Sequence, residues 1–209
     1  MTEPVVHVVD DDTSFLLSMS RLLRAHGFSV KTYVAAGDFL AQRCADDPGC
    51  VVTDLRMPGL DGLALQSALA QAPFPLPFLF LTGFADTPST VRAMRGGAED
   101  FLEKTASKEL LLEAVRRALA RDEKERAERT VRHELRVRFD AISVREREVL
   151  DHVLRGRLNK QIASDLGIHE RTVKVHRKSI MTKLNVRSVA ALARLTQEAG
   201  IKAPILTFT

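Results

Sequence analysis

Five short apolar runs alternate with amphipathic stretches through the first half of this chain, and that alternation limits the fold more than any other feature. The runs read as strands at 4–10, 28–33, 50–54, 77–82 and 100–103. Helical periodicity fills about 13–26, 35–45, 62–71, 87–96 and a stretch from 108 onward. Gly27 stands where a helix C′ glycine would, Thr87-Pro88 offers an N-cap followed by a first-turn proline, and Ser107 offers a cap for the fifth helix. Five such βα units predict an α/β, doubly wound (βα)5 domain: a parallel sheet covered on both faces, with right-handed crossovers.

The second half reads differently. From Leu110 to about Arg138 there is neither Gly nor Pro, and oppositely charged pairs such as Glu125–Arg129 recur at i,i+4. This predicts a long connecting helix, either a solvated spacer or a helix–helix contact. Four helical segments follow, at about 144–154, 159–166, 170–184 and 188–199, with Asn159 and Ser188 as expected N-caps. The expected division is a first domain over 1–121, a helical linker over 122–142 and an all-α four-helix domain over 143–209. Charge divides the same way. Residues 1–120 carry 11 Lys+Arg against 15 Asp+Glu, or −4, while 121–209 carry 20 against 12, or +8. An acidic half joined to a basic half suggests a regulatory part and a polyanion-binding part. No run of 18 apolar residues occurs and no charged segment followed by an apolar one opens the chain, which predicts a cytoplasmic protein without a membrane partner. The two cysteines, Cys44 and Cys50, form no CxxC pair and point to a reducing compartment.

The chemistry concentrates at the strand ends. Asp54 closes the run Val51-Val52-Thr53 and precedes Leu55-Arg56-Met57-Pro58-Gly59. Asp10-Asp11-Asp12 closes Val5-Val6-His7-Val8-Val9, Thr82 ends the fourth strand and Lys104 ends the fifth. The C-terminal tips of parallel strands are where open α/β sheets place their ligands. Carboxylates crowded there raise one another's pKa unless a cation lies among them. A hard divalent ion, Mg²⁺ or Mn²⁺, suits such a set. A nucleophilic carboxylate, a metal site, a hydroxyl and an ammonium together suit phosphoryl transfer.

The ordered set Asp10/Asp11, Asp54-Leu-Arg-Met-Pro-Gly, Thr82 and Lys104 on five βα units resembles the receiver domain of bacterial response regulators, over about residues 1–120. The resemblance implies a flavodoxin-like fold and a phosphoacceptor Asp54 served by a sensor histidine kinase. It further implies Mg²⁺ on Asp10, Asp11, Asp54 and the carbonyl of Arg56, and a switch made of Thr82 and the aromatic Phe101. Asp12 is expected to start the first helix rather than to bind metal. The chain departs from the family at Thr105-Ala106, where receivers usually carry a proline and then often an aromatic. That departure leaves the aim of Lys104 open.

In the basic half, Ile162–Ile168 reads as a short helix with a glycine turn. The helix that follows sets apolar Val173, Ile180, Met181 and Leu184 against Arg171, Lys174, Arg177, Lys178 and Lys183. This is a helix-turn-helix pattern with a cationic second helix. Residues Ile142 to about Leu195 resemble the LuxR/NarL-type DNA-binding domain, through Arg145-Glu146-Arg147-Glu148-Val149-Leu150, Asn159-Lys160-Gln161-Ile162-Ala163, and Thr172–His176 with Lys183-Leu184. With the receiver, the whole is similar to the FixJ-like subfamily of NarL-type regulators. The resemblance implies base contacts from Lys174, Val175 and Lys178, and phosphate contacts from Thr172, Arg177, Lys160 and Lys183. It also implies a dimer contact over 188–199, promoter DNA as partner, and RNA polymerase as a candidate partner. Val91, Arg95 and Glu99, read at helical spacing, are candidates for a receiver–receiver face in a homodimer formed on phosphorylation. Two other readings stand beside this one: a DNA-binding regulator with a pseudo-receiver that no longer switches, and a metal-dependent phosphohydrolase. The second lacks a carboxylate beside Asp54 to act as acid or base, so the chain is expected not to be an enzyme.

Overall fold

The computed structural model describes residues 3–44, 46–84 and 86–200. Strands β1 (Val5–Val9), β2 (Ser29–Tyr33), β3 (Gly49–Thr53), β4 (Phe78–Thr82) and β5 (Asp100–Glu103) alternate with helices α1 (Thr13–Ala25), α2 (Ala36–Gln42), α3 (Gly62–Ala70), α4 (Thr87–Arg95) and α5 (Lys108–Asp140). All pairings are parallel, in the order β2-β1-β3-β4-β5. Three of the strands that read as near-continuous apolar runs, β1, β3 and β4, are the central ones, buried on both faces. The pleat sends Val6, Val8, Cys50 and Val52 into one layer with Leu16, Leu23, Leu111 and Val115 of α1 and α5. It sends Val9, Val51, Phe78 and Phe80 into the other, with Phe39, Leu65 and Ala93 of α2, α3 and α4. Each fully covered side chain of this size contributes about 1.5–3 kcal/mol.

Caps show where local signals compete. Asp12 caps α1 through Ser14 and Phe15 N–H groups, as expected. The cap of α4 is Asp86, not Thr87: its carboxylate accepts from Ser89 N–H at 2.8 Å, a stronger acceptor one residue earlier. Helix α4 also ends at Arg95, because Gly96 closes it and Gly97 turns the chain at φ +85°. Glu99 is therefore not on the helical face of Val91 and Arg95, and the shared spacing that made it a dimer-face candidate does not exist. Its carboxylate instead meets Arg121 at 3.3 Å and Arg117 at 3.8 Å.

The chain forms two compact units, one through Arg126 and one from Ala127. Helix α5 contributes to both, so 122–142 is not a spacer throughout. Asp122 is buried: it accepts from Gly49 N–H at 2.9 Å and pairs with Arg126 at 2.8 Å. Arg126 continues to the Asp46 carboxylate at 2.8 Å and the Asp47 carbonyl at 2.6 Å. At the other end, Leu135 and Phe139 belong to the core of the second unit.

That second unit adds α6 (Val144–Leu154), α7 (Asn159–Leu166), α8 (Glu170–Lys183) and α9 (Val189–Glu198). Ser143 and Glu146 make a reciprocal capping box at the start of α6. Gly167 takes φ +63° between α7 and α8, the left-handed conformation that a tight turn there requires. Leu150, Ile162, Val173, Ile180, Leu184 and Leu192 close the core. Ser188 caps α9. Asn159 does not cap α7; Leu158 occupies that position, and the Asn159 side chain points elsewhere.

Candidate functional site

The sheet delivers its acids to one edge by continuing the ladder past the strand ends. Asp10 N–H donates to Tyr33 carbonyl at 3.1 Å, Asp54 N–H to Val9 carbonyl at 3.0 Å, and Lys104 N–H to Thr82 carbonyl at 2.8 Å. Side-chain oxygens of Asp10, Asp11 and Asp54 all come within 4.8 Å of one another. Asp10 is 1% exposed and Asp54 9%, while Asp11 is open to solvent. Lys104 Nζ lies 2.6 Å from Asp10 Oδ2 and 3.0 Å from Asp54 Oδ2. Its aim is thus intact with Thr105-Ala106 behind it. Burial disfavours the ammonium, but hydrogen bonds to Asp10 and Asp54 outweigh that and raise its pKa above 10.5. Burial raises the Asp10 pKa, although Lys104 and the Asp12 N–H pull the other way. Three carboxylates facing one ammonium leave a negative excess in a partly dry pocket. That donor set fits a hard divalent cation.

The remaining predicted residues ring this pocket. Thr82 is buried, and its hydroxyl accepts from Phe84 N–H at 3.3 Å. Phe101 is half-buried and stacks on Phe80 at 5.7 Å between centroids. Arg56 N–H reaches Asp54 Oδ1 at 3.4 Å, and its guanidinium lies 4.7 Å above the Phe84 ring and 3.4 Å from Asp86. Two contributors escaped the sequence reading. Phe15 places its ring 4.3 Å from Lys104 Nζ, covering the ammonium. Gly62 leaves room for the Asp54 carbonyl, which a Cβ there would strike. The Asp61-Gly62 pair is a visible turn signal, but nothing in it points to Asp54.

The second unit presents α8. Lys174, Val175 and Lys178 are exposed, Val175 at 60%. Lys160 is exposed on α7, and Thr172 and Arg177 are half-buried. Lys174 Nζ pairs with Glu170 one turn back at 3.2 Å. Lys183, expected on phosphate, is held elsewhere: its ammonium meets buried Glu146 at 2.6 Å, because that carboxylate needs a counter-charge. Ser179 Oγ donates to the same carboxylate at 2.6 Å. A cleft of about 550 Å³ runs along α8, lined by Asn159, Lys174, Arg177, Lys178, Met181 and Asn185 among others.

Residues 6–116 match the response regulator receiver domain, and residues 140–196 match the luxR family of bacterial regulatory proteins. The chain belongs to the LuxR-class response regulators. The regulator is 43% identical to nodulation protein W of Bradyrhizobium diazoefficiens over 97% of this chain and 89% of that one. It is 38% identical to the transcriptional regulatory protein FixJ of Rhizobium meliloti over 96% of this chain and 98% of that one. Among solved structures, the response regulator StyR superposes with a TM-score of 0.83 at 44% identity, over 94% of this chain and 100% of StyR. Full-length FixJ from B. japonicum gives 0.57 at 37% identity, over 97% of this chain and 100% of FixJ. The first unit has the flavodoxin-like receiver fold. The regulator is a phosphorylation-dependent controller of transcription, its receiver joined to a helix-turn-helix domain. Among the described residues, no helix is long and apolar enough to cross a membrane.

Proposed function

We propose that Asp54 is the phosphoacceptor and that a sensor histidine kinase is the donor. The observation carrying this is the ammonium of Lys104 set between Asp10 and Asp54 in a cluster of three carboxylates. An Asp54 oxygen attacks phosphorus of the kinase phosphohistidine. A P–O bond forms, the P–N bond breaks, and its electron pair leaves on the imidazole nitrogen. Lys104 neutralises charge spread over the phosphoryl oxygens. Asp10, Asp11, Asp54 and the Arg56 carbonyl would hold Mg²⁺ or Mn²⁺, which when bound supplies further charge stabilisation at those oxygens.

The Thr82 hydroxyl, which rests on the Phe84 backbone, donates to the new phosphoryl group, and Phe101 follows. The acyl phosphate carries about −1.5 to −2 charge where the Asp54 carboxylate carried a single one, and adds three strong acceptor oxygens. The receiver then pairs with a second copy through a face that includes Val91 and Arg95, both exposed on α4. Paired regulators set two α8 helices into successive major grooves of promoter DNA, with Lys174, Val175 and Lys178 on base edges and Thr172, Arg177 and Lys160 on phosphates. The setting is the cytoplasm, and RNA polymerase is the downstream partner. The chain transmits a phosphate rather than turning over a substrate.

Intact mass after incubation with acetyl phosphate and Mg²⁺ tests the acceptor. One added phosphoryl group on wild type, none on Asp54→Asn, and tighter dimerisation and DNA binding of the phosphorylated form are expected. No adduct from acetyl phosphate or from a kinase donor would overturn the assignment.

A further inference from the structure

Asn159 at the start of α7 carries a role that its expected capping function concealed. Its Oδ1 accepts from Arg177 Nη1 at 2.8 Å, across from α7 to α8. A guanidinium can only donate, so the amide oxygen must face it and the Nδ2 donors must turn away. Both residues are half-buried, and both line the cleft along α8 beside Lys174 and Lys178.

The partner chosen for Arg177 is decisive. Several other cations of this unit are neutralised where they are held, Lys183 by Glu146, Arg157 by Asp165, Arg145 by Glu148 and Lys174 by Glu170, whereas Arg147 rests on the Phe139 carbonyl and is not part of the α8 cleft lining. Arg177 is held by a neutral amide, so its geometry is fixed while its charge is left for an outside anion. Planar forks of this kind suit phosphate oxygens, and holding one in place beforehand lowers the ordering cost of binding. We infer that Asn159 is a positioning residue for Arg177, and that its own Nδ2 donor joins Arg177 in gripping one DNA backbone phosphate in the α8 cleft. This rests on the DNA-binding role of the unit and adds to it a residue and a paired grip.

The test uses full-length regulator, phosphorylated with acetyl phosphate, and a mixed-sequence DNA duplex titrated by fluorescence anisotropy across a NaCl series. Each phosphate contact contributes about −0.9 to the slope of log K against log salt. Asn159→Ala is expected to weaken binding several-fold and to lower the slope by about 1, as a lost phosphate contact should. Arg177→Ala should match it, and the double variant should lose little more than either. Asn159→Asp restores an acceptor for Arg177 but removes the donor and adds a charge, so it should fold as wild type and still bind weakly. An Asn159→Ala protein with unchanged slope beside a weakened Arg177→Ala would overturn the positioning role. Unchanged binding in both variants, with Lys178→Ala weakened, would remove the cleft from the phosphate contacts while leaving DNA binding intact. Inorganic phosphate displacing the duplex at an ionic strength where NaCl does not would mark a free-anion site and overturn the backbone assignment. A wild-type protein that binds no duplex would sink the DNA-binding reading, and the grip with it.

Discussion

His7 shows how far one buried residue departs from what its sequence position suggests. It sits in β1 at 1% exposure, its Nδ1 3.2 Å from the Tyr33 hydroxyl and its ring 5.2 Å from that of Phe39. Burial lowers its pKa from 6.5 to about 4, helped by Lys31 and Arg43 and opposed by Asp47. The unfolded chain takes up this proton below pH 6.5, whereas the folded chain declines it until about pH 4. Stability is therefore lost as pH falls through that window, by roughly 3 kcal/mol at its foot. His7→Phe should lack this component. Thermal melts of both proteins between pH 7 and pH 4 would show the wild-type curve falling more steeply toward acid than the variant's, and parallel curves would refute the assignment. Gly62 is a residue of the opposite kind, needed for having no side chain. Gly62→Ala should cost about 1–3 kcal/mol through the collision with the Asp54 carbonyl. It should also slow phosphate uptake from acetyl phosphate several-fold, a rate read by intact mass.

Elements are tied together by polar groups that no local pattern reveals. Glu146 opens α6, yet its carboxylate is spent on α8, through Lys183 and Ser179, as well as on the Ser143 N–H. Burial alone would raise its pKa; Lys183, Ser179 and Ser143 together lower it from 4.5 to about 2. Its contribution is present above pH 4.5 and is lost as pH falls toward 2. Glu146→Ala should destabilise the DNA-binding unit by about 2–3 kcal/mol, less than a fully buried pair because Lys183 stays partly open to solvent. Denaturant melts at pH 7 and pH 3 check this, the variant's deficit shrinking in acid. The sequence announced the elements well, because β-branched runs, Gly27 and Ser188 act within a few residues. The same local logic placed Asp10, Asp54, Thr82 and Lys104 at one edge, since every parallel strand ends there. It failed where one residue had two uses. Asn159 is as good a cap as a guanidinium acceptor, and only the fold brings Arg177 to it. Lys183 looks like any exposed cation until Glu146 is buried beneath it.

At the scale of the whole molecule, the question is where the receiver stops. Composition suggested residue 121, because the charge density rises there and the apolar stripe thins. The folded unit runs further, through partners far apart in sequence: Asp122 with Gly49 at the start of β3, and Arg126 with Asp46 and Asp47. An acid in a charge-dense helix reads as solvated, so nothing local marks Asp122 as buried at 2% exposure. Cutting after Arg121 would leave the Gly49 N–H without its carboxylate and the loop before β3 without its clamp. Removing one partner of a buried charged hydrogen bond costs about 2–4 kcal/mol. A receiver fragment ending at Arg126 should thus melt well above one ending at Arg121. Arg126→Ala in the longer fragment should fall between them, since it keeps the Gly49 bond and loses the clamp. Equal melting of the two fragments would return 122–126 to the linker. Because the clamp lies at the N-terminal edge of β3, opposite Asp54, both fragments should still take one phosphate, so that stability and phosphorylation separate at this helix.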